Sequence, residues 1–184
     1  MAIKNRPEFK KFIRRVEKSS DVSRISSTEK RHLKNFQTAR ENLKHLVDDE
    51  SFLEFGQFAV AAQRSRRDYE ELQDKTNADG IITGFCSINS ALIGEEDAKA
   101  VAIIYDYSVL AGTQGFFHHA KLDRICEQAK KFNLPVVIFT EGGGGRPGDT
   151  DVLTQIAGLH IPSFSSWAQL TGTCLKIAVN NGYC

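Results

Sequence analysis

An apolar run, Leu134-Pro135-Val136-Val137-Ile138-Phe139, ends in Thr140-Glu141 and leads straight into four consecutive glycines at 142–145. Arg146-Pro147-Gly148 follow. Glycine loses more conformational freedom on folding than any other residue, so a run of it is costly backbone. Placed directly after a buried strand, it implies that main-chain N–H groups must come close to another group. Without a Cβ in the way, such amides can converge on an anion or a polarised carbonyl. Arg146 adds a planar cation whose forked donors suit phosphate or carboxylate.

Two familiar glycine-loop chemistries fail on inspection. Gly143-x-Gly145-x-x-Gly148 formally matches the dinucleotide fingerprint, which also needs an acidic residue about 20 positions on to hold the ribose. Asp151 is the last acidic side chain of the sequence, so that partner is absent. Pro147, between the last two matched glycines, also fits poorly with close helix–strand packing. A P-loop is excluded because no Gly-Lys-Ser/Thr follows.

The 184 residues suffice for one domain with a substantial core. A net charge of +1 offers no electrostatic case for nucleic acid. Charge is nevertheless uneven. Residues 1–75 hold 17 Lys and Arg against 13 Asp and Glu, and the remainder hold 7 against 10. This predicts a charged, helical N-terminal region ahead of a more apolar α/β body. Cys86, Cys126, Cys174 and Cys184 form no C-x-x-C pair, which argues against a zinc ribbon and offers no disulfide framework. We read them as reduced thiols of a cytoplasmic protein. The N-terminus lacks the apolar core of a secretory signal, and no run has the length of a membrane span.

Residues 1–34 read as helix plus mobile tail, with no site attached. Phe36, Ala39, Leu43, Leu46 and Val47 then share one helical stripe. Phe52-Leu53-Glu54-Phe55 reads as a short strand, and 64–80 as a charged connector closing on the turn Asp79-Gly80. Strands are expected at 81–88 and 99–107, the second buried on both faces at one end. Ala111-Gly112-Thr113-Gln114-Gly115 breaks that strand. A helix from Phe116 to Phe132 should follow, burying Phe117, Ala120, Ile125 and Ala129. After the strand at 136–140 come helices at 152–159 and 161–170 and a strand at 173–179. Strand, glycine turn and helix recur, as in an α/β arrangement with crossovers.

These segments together resemble the carboxyltransferase component of biotin-dependent acyl-CoA carboxylases, within the crotonase-like superfamily. Thr38-Ala39-Arg40-Glu41-Asn42-Leu43, with Leu46-Val47-Asp48 and Ser51-Phe52-Leu53-Glu54, is similar to the family's leading helix and "gSF.E" element. Asp79-Gly80-Ile81-Ile82-Thr83-Gly84 matches its first core hairpin. Tyr105-Asp106-Tyr107-Ser108-Val109 with Ala111-Gly112-Thr113 resembles its "qDfTv.gGS" strand-turn. Gly143-Gly144-Gly145-Arg146 sits where the family carries "SGGAR". Asn181-Gly182-Tyr183-Cys184 looks like the start of its second glycine loop. The longer EGGGGRPGDTD resembles the variant of large carboxylases that fuse all three components. Each motif is weak alone; their colinear order over 36–184 makes the combination specific.

The resemblance implies a crotonase/ClpP-like spiral of ββα units, incomplete here, with a helical N-terminal extension. It divides the chain into a charged segment, 1–35, and a partial acyl-CoA-binding domain, 36–184. The implied reaction moves carboxylate from carboxybiotin, borne on a separate carrier and not attached covalently here, to the α-carbon of an acyl-CoA, in fatty acid metabolism. The implied partners are acyl-CoA, the biotin carrier and biotin carboxylase components, and further copies of the intact protein. Gly143, Gly144, Gly145, Arg146, Gly112 and Thr113 are the expected acyl-CoA contacts. No side chain is nominated as catalytic and none as a metal ligand. The family's second loop continues beyond the point where Cys184 stands, so the chain reads as a truncated product or decayed copy, inactive alone. Two alternatives are a non-catalytic acyl-CoA-binding or assembly fragment and another crotonase-like enzyme, a decarboxylase or hydratase.

Of the other polar candidates, Arg40 and Lys44 read as a solvated helix face within reach of coenzyme A phosphates. His118 and His119 diverge by about 100° around a helix, too far to share one ion. Asp106 reads as structural, and Phe164 and Trp167 as core or interface residues.

Overall fold

The computed structural model describes residues 6–152 and 161–183. The central sheet follows from the β-branched runs. Its strands are β1 (Leu53–Phe55), β2 (Ile81–Ser87), β3 (Lys99–Tyr105), β4 (Val136–Thr140) and β5 (Lys176–Asn180), hydrogen-bonded in that order. β1, β2 and β3 run antiparallel, with Ile81 opposite Tyr105. β4 and β5 join in parallel, with Val101 opposite Val136 and Val136 opposite Lys176. Parallel pairing needs a crossover. Between β3 and β4 it is α6 (Phe116–Phe132), so β2, β3 and α6 make one ββα unit.

Both faces of β3 are covered, because side chains alternate along a strand. Val101 and Ile103 point to α6 and join Ile81, Leu122, Ile125, Ala129, Val136 and Ile138 in one core. Ala100, Ala102 and Ile104 point the other way, against Ala39 and Leu43 of α3 (Ala39–Leu46). Each fully buried aliphatic side chain contributes about 1.5–3 kcal/mol. Helix α3 begins where Thr38 and Glu41 form a reciprocal cap. The Thr38 hydroxyl accepts from the Glu41 amide at 3.1 Å, and the Glu41 carboxylate accepts from the Thr38 amide at 2.8 Å.

The expected strands and the Phe116–Phe132 helix are present at or within a few residues of the expected positions, and the helix at 161–170 narrows to α7 (Ser163–Ala168). The helix expected at 152–159 falls almost wholly outside the described residues. The connector at 64–80 holds a helix that was not expected, α4 (Tyr69–Lys75), whose one buried side chain is Leu72. The buried stripe of α6 also differs. Phe117 and Ala120 are exposed, and the buried residues are His118, Lys121, Leu122, Ile125, Cys126 and Ala129. The helix turns this face inward because the carbonyls of Ala78 and Ile81 accept from the Lys121 ammonium, and the Asp79 carboxylate accepts from the His118 main-chain amide.

Residues 1–34 likewise hold more than a tail. They form α1 (Pro7–Lys18) and α2 (Ile25–His32), tied to the body at several points. Arg15 donates to the Phe58 carbonyl at 2.7 Å, and the Gln57 amide donates to Ser19 at 2.8 Å. No described helix is long and apolar enough to cross a membrane.

Candidate functional site

The glycine run leaves the carboxyl end of β4, where ligands of open α/β sheets gather. Its four residues divide into two kinds. Gly142 has φ +137° and lies against the backbone of Gly112, whose own φ is +68°. Its amide donates to the Tyr183 carbonyl at 2.6 Å. Gly143, Gly144 and Gly145 are exposed instead, and a Cβ built on Gly144 or Gly145 meets nothing within 4 Å. The loop is fixed from one side. Gln114 donates to the Gly144 carbonyl at 2.9 Å, and the Arg146 amide donates to the Gln114 carbonyl at 2.8 Å. Among the described residues the amides of 143, 144 and 145 have no acceptor. A short row of open donors is therefore held on a rigid base.

Arg146 belongs to the base. Only 5% of its side chain is exposed. The guanidinium donates to Asp79 at 2.5 Å, to the Thr113 carbonyl at 2.7 Å and, more weakly, to the Thr113 hydroxyl at 3.3 Å and Asp149 at 3.5 Å. The fork that suits an anion meets carboxylates of its own chain. Both carboxylates also cap α6: Asp149 accepts from the Phe116 amide at 2.8 Å, and Asp79 from the His118 amide at 2.9 Å. A helix N-terminus favours negative charge, which Asp79 and Asp149 supply. Burial raises the Asp79 carboxyl above its ordinary value, and Arg146 pulls it back only in part. Thr113 does not cap α6. Its hydroxyl donates to the Leu110 carbonyl at 2.7 Å, and Gly115 is the capping residue.

Asp79 lies in an unusual turn. Ala78 and Asp79 both have left-handed backbone, and Gly80 follows at φ +75°. Left-handed conformation costs an ordinary residue roughly 1–2 kcal/mol. Lys121 sits beneath, donating to the carbonyls of Ala78 and Ile81, and burial lowers its ammonium to about 8. The unfolded chain keeps that proton to about 10.5, so between these values the unfolded state binds more protons and stability climbs with pH. Measured against Lys121→Met, chemical-denaturation stability should rise by up to about 1.4 kcal/mol per pH unit between pH 8 and 9.5, while the thiols of Cys86 and Cys126, pushed up to about 12 by burial, pull the absolute profile of both proteins the other way. A parent-minus-variant difference that stays flat over that range would refute the assignment.

His118 is fully buried, its ring 4.7 Å from that of Tyr105, and neither ring nitrogen has a hydrogen-bond partner among the described residues. Burial, then the neighbouring His119, Lys121 and Arg146, push its pKa well below the ordinary value, so it stays neutral. Among the described residues no group of three His, Cys, Asp or Glu is placed to hold a metal. Arg40 forks onto Glu54 at 2.6 and 3.0 Å, and Lys44 is exposed. Asp106 holds Arg24 at 2.7 Å; burial pushes its carboxyl up, but Arg24 and Ser108 outweigh that and leave it below its ordinary value.

Local pattern marks no site in residues 1–34, yet α2 reaches the glycine loop. Arg31 donates to both carboxylate oxygens of Glu141, at 2.6 and 2.7 Å. Glu141 is 2% exposed and directly precedes the glycines. Nothing in the local pattern around Arg31 separates it from the surface cations near it. Only its partner, 110 residues away, does. The described groove of about 420 Å³ lies elsewhere, on α1 between Phe9, Lys10, Ile13, Arg14 and Glu17, and contains none of these groups.

A family model described as "Carboxyl transferase domain" matches residues 30–159. A solved single-chain, multi-domain long-chain acyl-CoA carboxylase superposes with a TM-score of 0.88 at 45% identity, over 96% of this chain and 17% of that one. The transcarboxylase 12S structure, a hexamer with methylmalonyl-coenzyme A bound, gives 0.73 at 28% identity over 99% of this chain and 32% of that one. The methylmalonyl-CoA decarboxylase subunit alpha of Veillonella parvula is 30% identical over 118 residues, 64% of this chain and 21% of that protein. The chain thus spans about a sixth to a third of the length of these relatives.

Proposed function

From a chain that belongs to the carboxyl transferase domain family, we infer an acyl-CoA-binding portion of a biotin-dependent acyl-CoA carboxylase. The observation that carries this reading is the row of open amides at 143, 144 and 145, standing on a hydrogen-bonded, closely packed base. Residues 36–184 supply the binding portion, and the charged segment 1–35 is tied to it through Arg15, Arg24 and Arg31.

Removing the α-proton of an acyl thioester builds negative charge on the thioester oxygen. Preorganised N–H donors stabilise such charge, and losing one costs about 3–4 kcal/mol. Gly143, Gly144 and Gly145 line the acyl-CoA channel and offer those donors without side chains in the way. Gly112, Thr113 and Arg146 act beneath them, holding the loop at its height. The carboxyl donor, carboxybiotin, arrives as a substrate on a carrier domain and supplies the carboxylate that the α-carbon receives. No described residue is assigned to it. Free, buried Cys86 and Cys126 suit a reducing, cytoplasmic setting. Completion of the site by further segments or copies of the intact protein accords with the exposure of the loop. The likeness to a methylmalonyl-CoA decarboxylase subunit supports a second reading, in which the same donors face an acyl-CoA that loses its carboxylate.

Gly143→Val tests the assignment. Gly143 lacks a positive φ, and an added Cβ comes no nearer than 3.9 Å to its closest neighbour, the Ala111 carbonyl oxygen. The fold should therefore hold, with the melting temperature within about 2 °C of the parent, since a ΔΔG of 1 kcal/mol moves a domain of this size by about 2–4 °C. Affinity for propionyl-CoA, read by isothermal titration, should drop at least about tenfold, the equivalent of 1.4 kcal/mol. Unchanged affinity in a well-folded variant would remove the loop from the site.

A further inference from the structure

One buried carboxylate lies where α2, the start of the glycine run and the turn after β5 meet. Glu141 accepts both prongs of Arg31 and lies 3.4 Å from the Asn181 amide nitrogen. A Cβ built on Gly182 would come within 2.5 Å of its Oε1, so the turn after β5 packs directly onto it. Two main-chain bonds run alongside: the Gly142 amide to the Tyr183 carbonyl at 2.6 Å, and the Asn181 amide to the Thr140 carbonyl at 3.1 Å. Arg31 is itself tied down. Its Nε and Nη2 donate to the Gln37 carbonyl at 3.1 and 2.8 Å, and its guanidinium lies 5.1 Å from the Phe36 ring and 5.7 Å from that of Tyr107.

We propose that Arg31 and Glu141 are the positioning pair of the acyl-CoA site, setting the separation between the glycine run at 142–145 and the second glycine turn at 181–183. The ligand part of this proposal rests on the function inferred above; the mechanical part does not. A charge-assisted, two-pronged pair fixes direction as well as distance, which a neutral contact cannot. Sub-ångström placement matters because donors act at full strength only where the developing oxyanion will sit. The helical N-terminal segment thereby becomes part of the site, although it touches no ligand.

Hydrogen exchange of the 184-residue chain separates the two parts. In Glu141→Gln, which keeps shape and loses charge, the Gly142 and Asn181 amides should exchange at least about tenfold faster, with the β3 amides unchanged. Arg31→Lys, which keeps charge and loses the fork, should give an intermediate rate, and Arg40→Gln should leave both loops as in the parent. In titrations, Glu141→Gln should lose at least about tenfold in affinity for propionyl-CoA and little for free coenzyme A. Loop exchange as slow as in the parent, or acceleration spread evenly over the sheet, would overturn the pair as a positioning device. A parent that ignores propionyl-CoA would overturn the ligand reading and leave the exchange result to decide the pair.

Discussion

Arg146→Met is expected to destabilise the chain by about 3–5 kcal/mol, the cost of leaving buried carboxylates without their cation. Asp79 is fully buried and Asp149 nearly so, and both face the single guanidinium of Arg146. A methionine fills similar volume, so the loss reports on charge and not on a cavity. Two backbone sites go with it, since Arg146 also holds the Thr113 carbonyl, and the capping carboxylates are oriented by the same fork. The pH dependence supplies a second check. The Asp79 carboxyl is already raised by burial, and losing Arg146 raises it further. A raised carboxyl contributes stability at low pH that is lost as pH climbs through the folded-state value. The deficit of the variant, measured by urea unfolding, should therefore shrink between pH 7.5 and pH 5. A loss below about 1 kcal/mol at neutral pH would show that the network is not what holds the loop.

Gly112→Val is expected to cost about 3 kcal/mol or more, combining overpacking with left-handed backbone. A Cβ there falls 2.5 Å from the Gly142 Cα and 2.7 Å from the Glu141 carbonyl oxygen, at φ +68°. Both obstacles are main chain, which cannot swing aside as a lysine tip would. Gly144→Ala supplies the contrast: its φ is +65° but nothing lies within 4 Å, so only the backbone term of about 1 kcal/mol remains. Thermal melts of the two variants separate the terms. Equal losses would mean that the Gly112–Gly142 approach contributes nothing.

These two expectations concern the floor under the open amides, and the floor explains why the site needs so many glycines. Those at 112 and 142 allow two backbones to touch. Those at 143 and 145 face outward and leave their amides bare. One run of identical letters therefore performs two jobs. The difference lies in what stands opposite each residue.

Much of the architecture was legible from local pattern. The continuous apolar runs at 81–88, 99–107 and 136–140 specify strands, because β2, β3 and β4 are covered on both faces, whereas β5 is mostly exposed. Helix α6 was legible at both ends, between Gly115 and Asn133, the latter in left-handed conformation. Its buried face was not. Nothing local marks His118 and Lys121 as buried; Asp79, Ala78 and Ile81 beneath them do. The same holds at the site. Arg146 drew attention as a free cation for an anion, and the fold spends it on Asp79 and Asp149. Arg31 drew none, and the fold seats it on Glu141.

Alternation of apolar side chains, turn residues and a glycine run are properties of neighbouring positions, and they suffice to place the strands, the long helix and the loop that leaves β4. Which charges are buried, and which amides stay open, depends on pairs such as Arg31 and Glu141 or Asp79 and Arg146, far apart along the chain. Those pairs form only once the chain is folded, because desolvation and pairing act through space and leave no periodicity along the sequence.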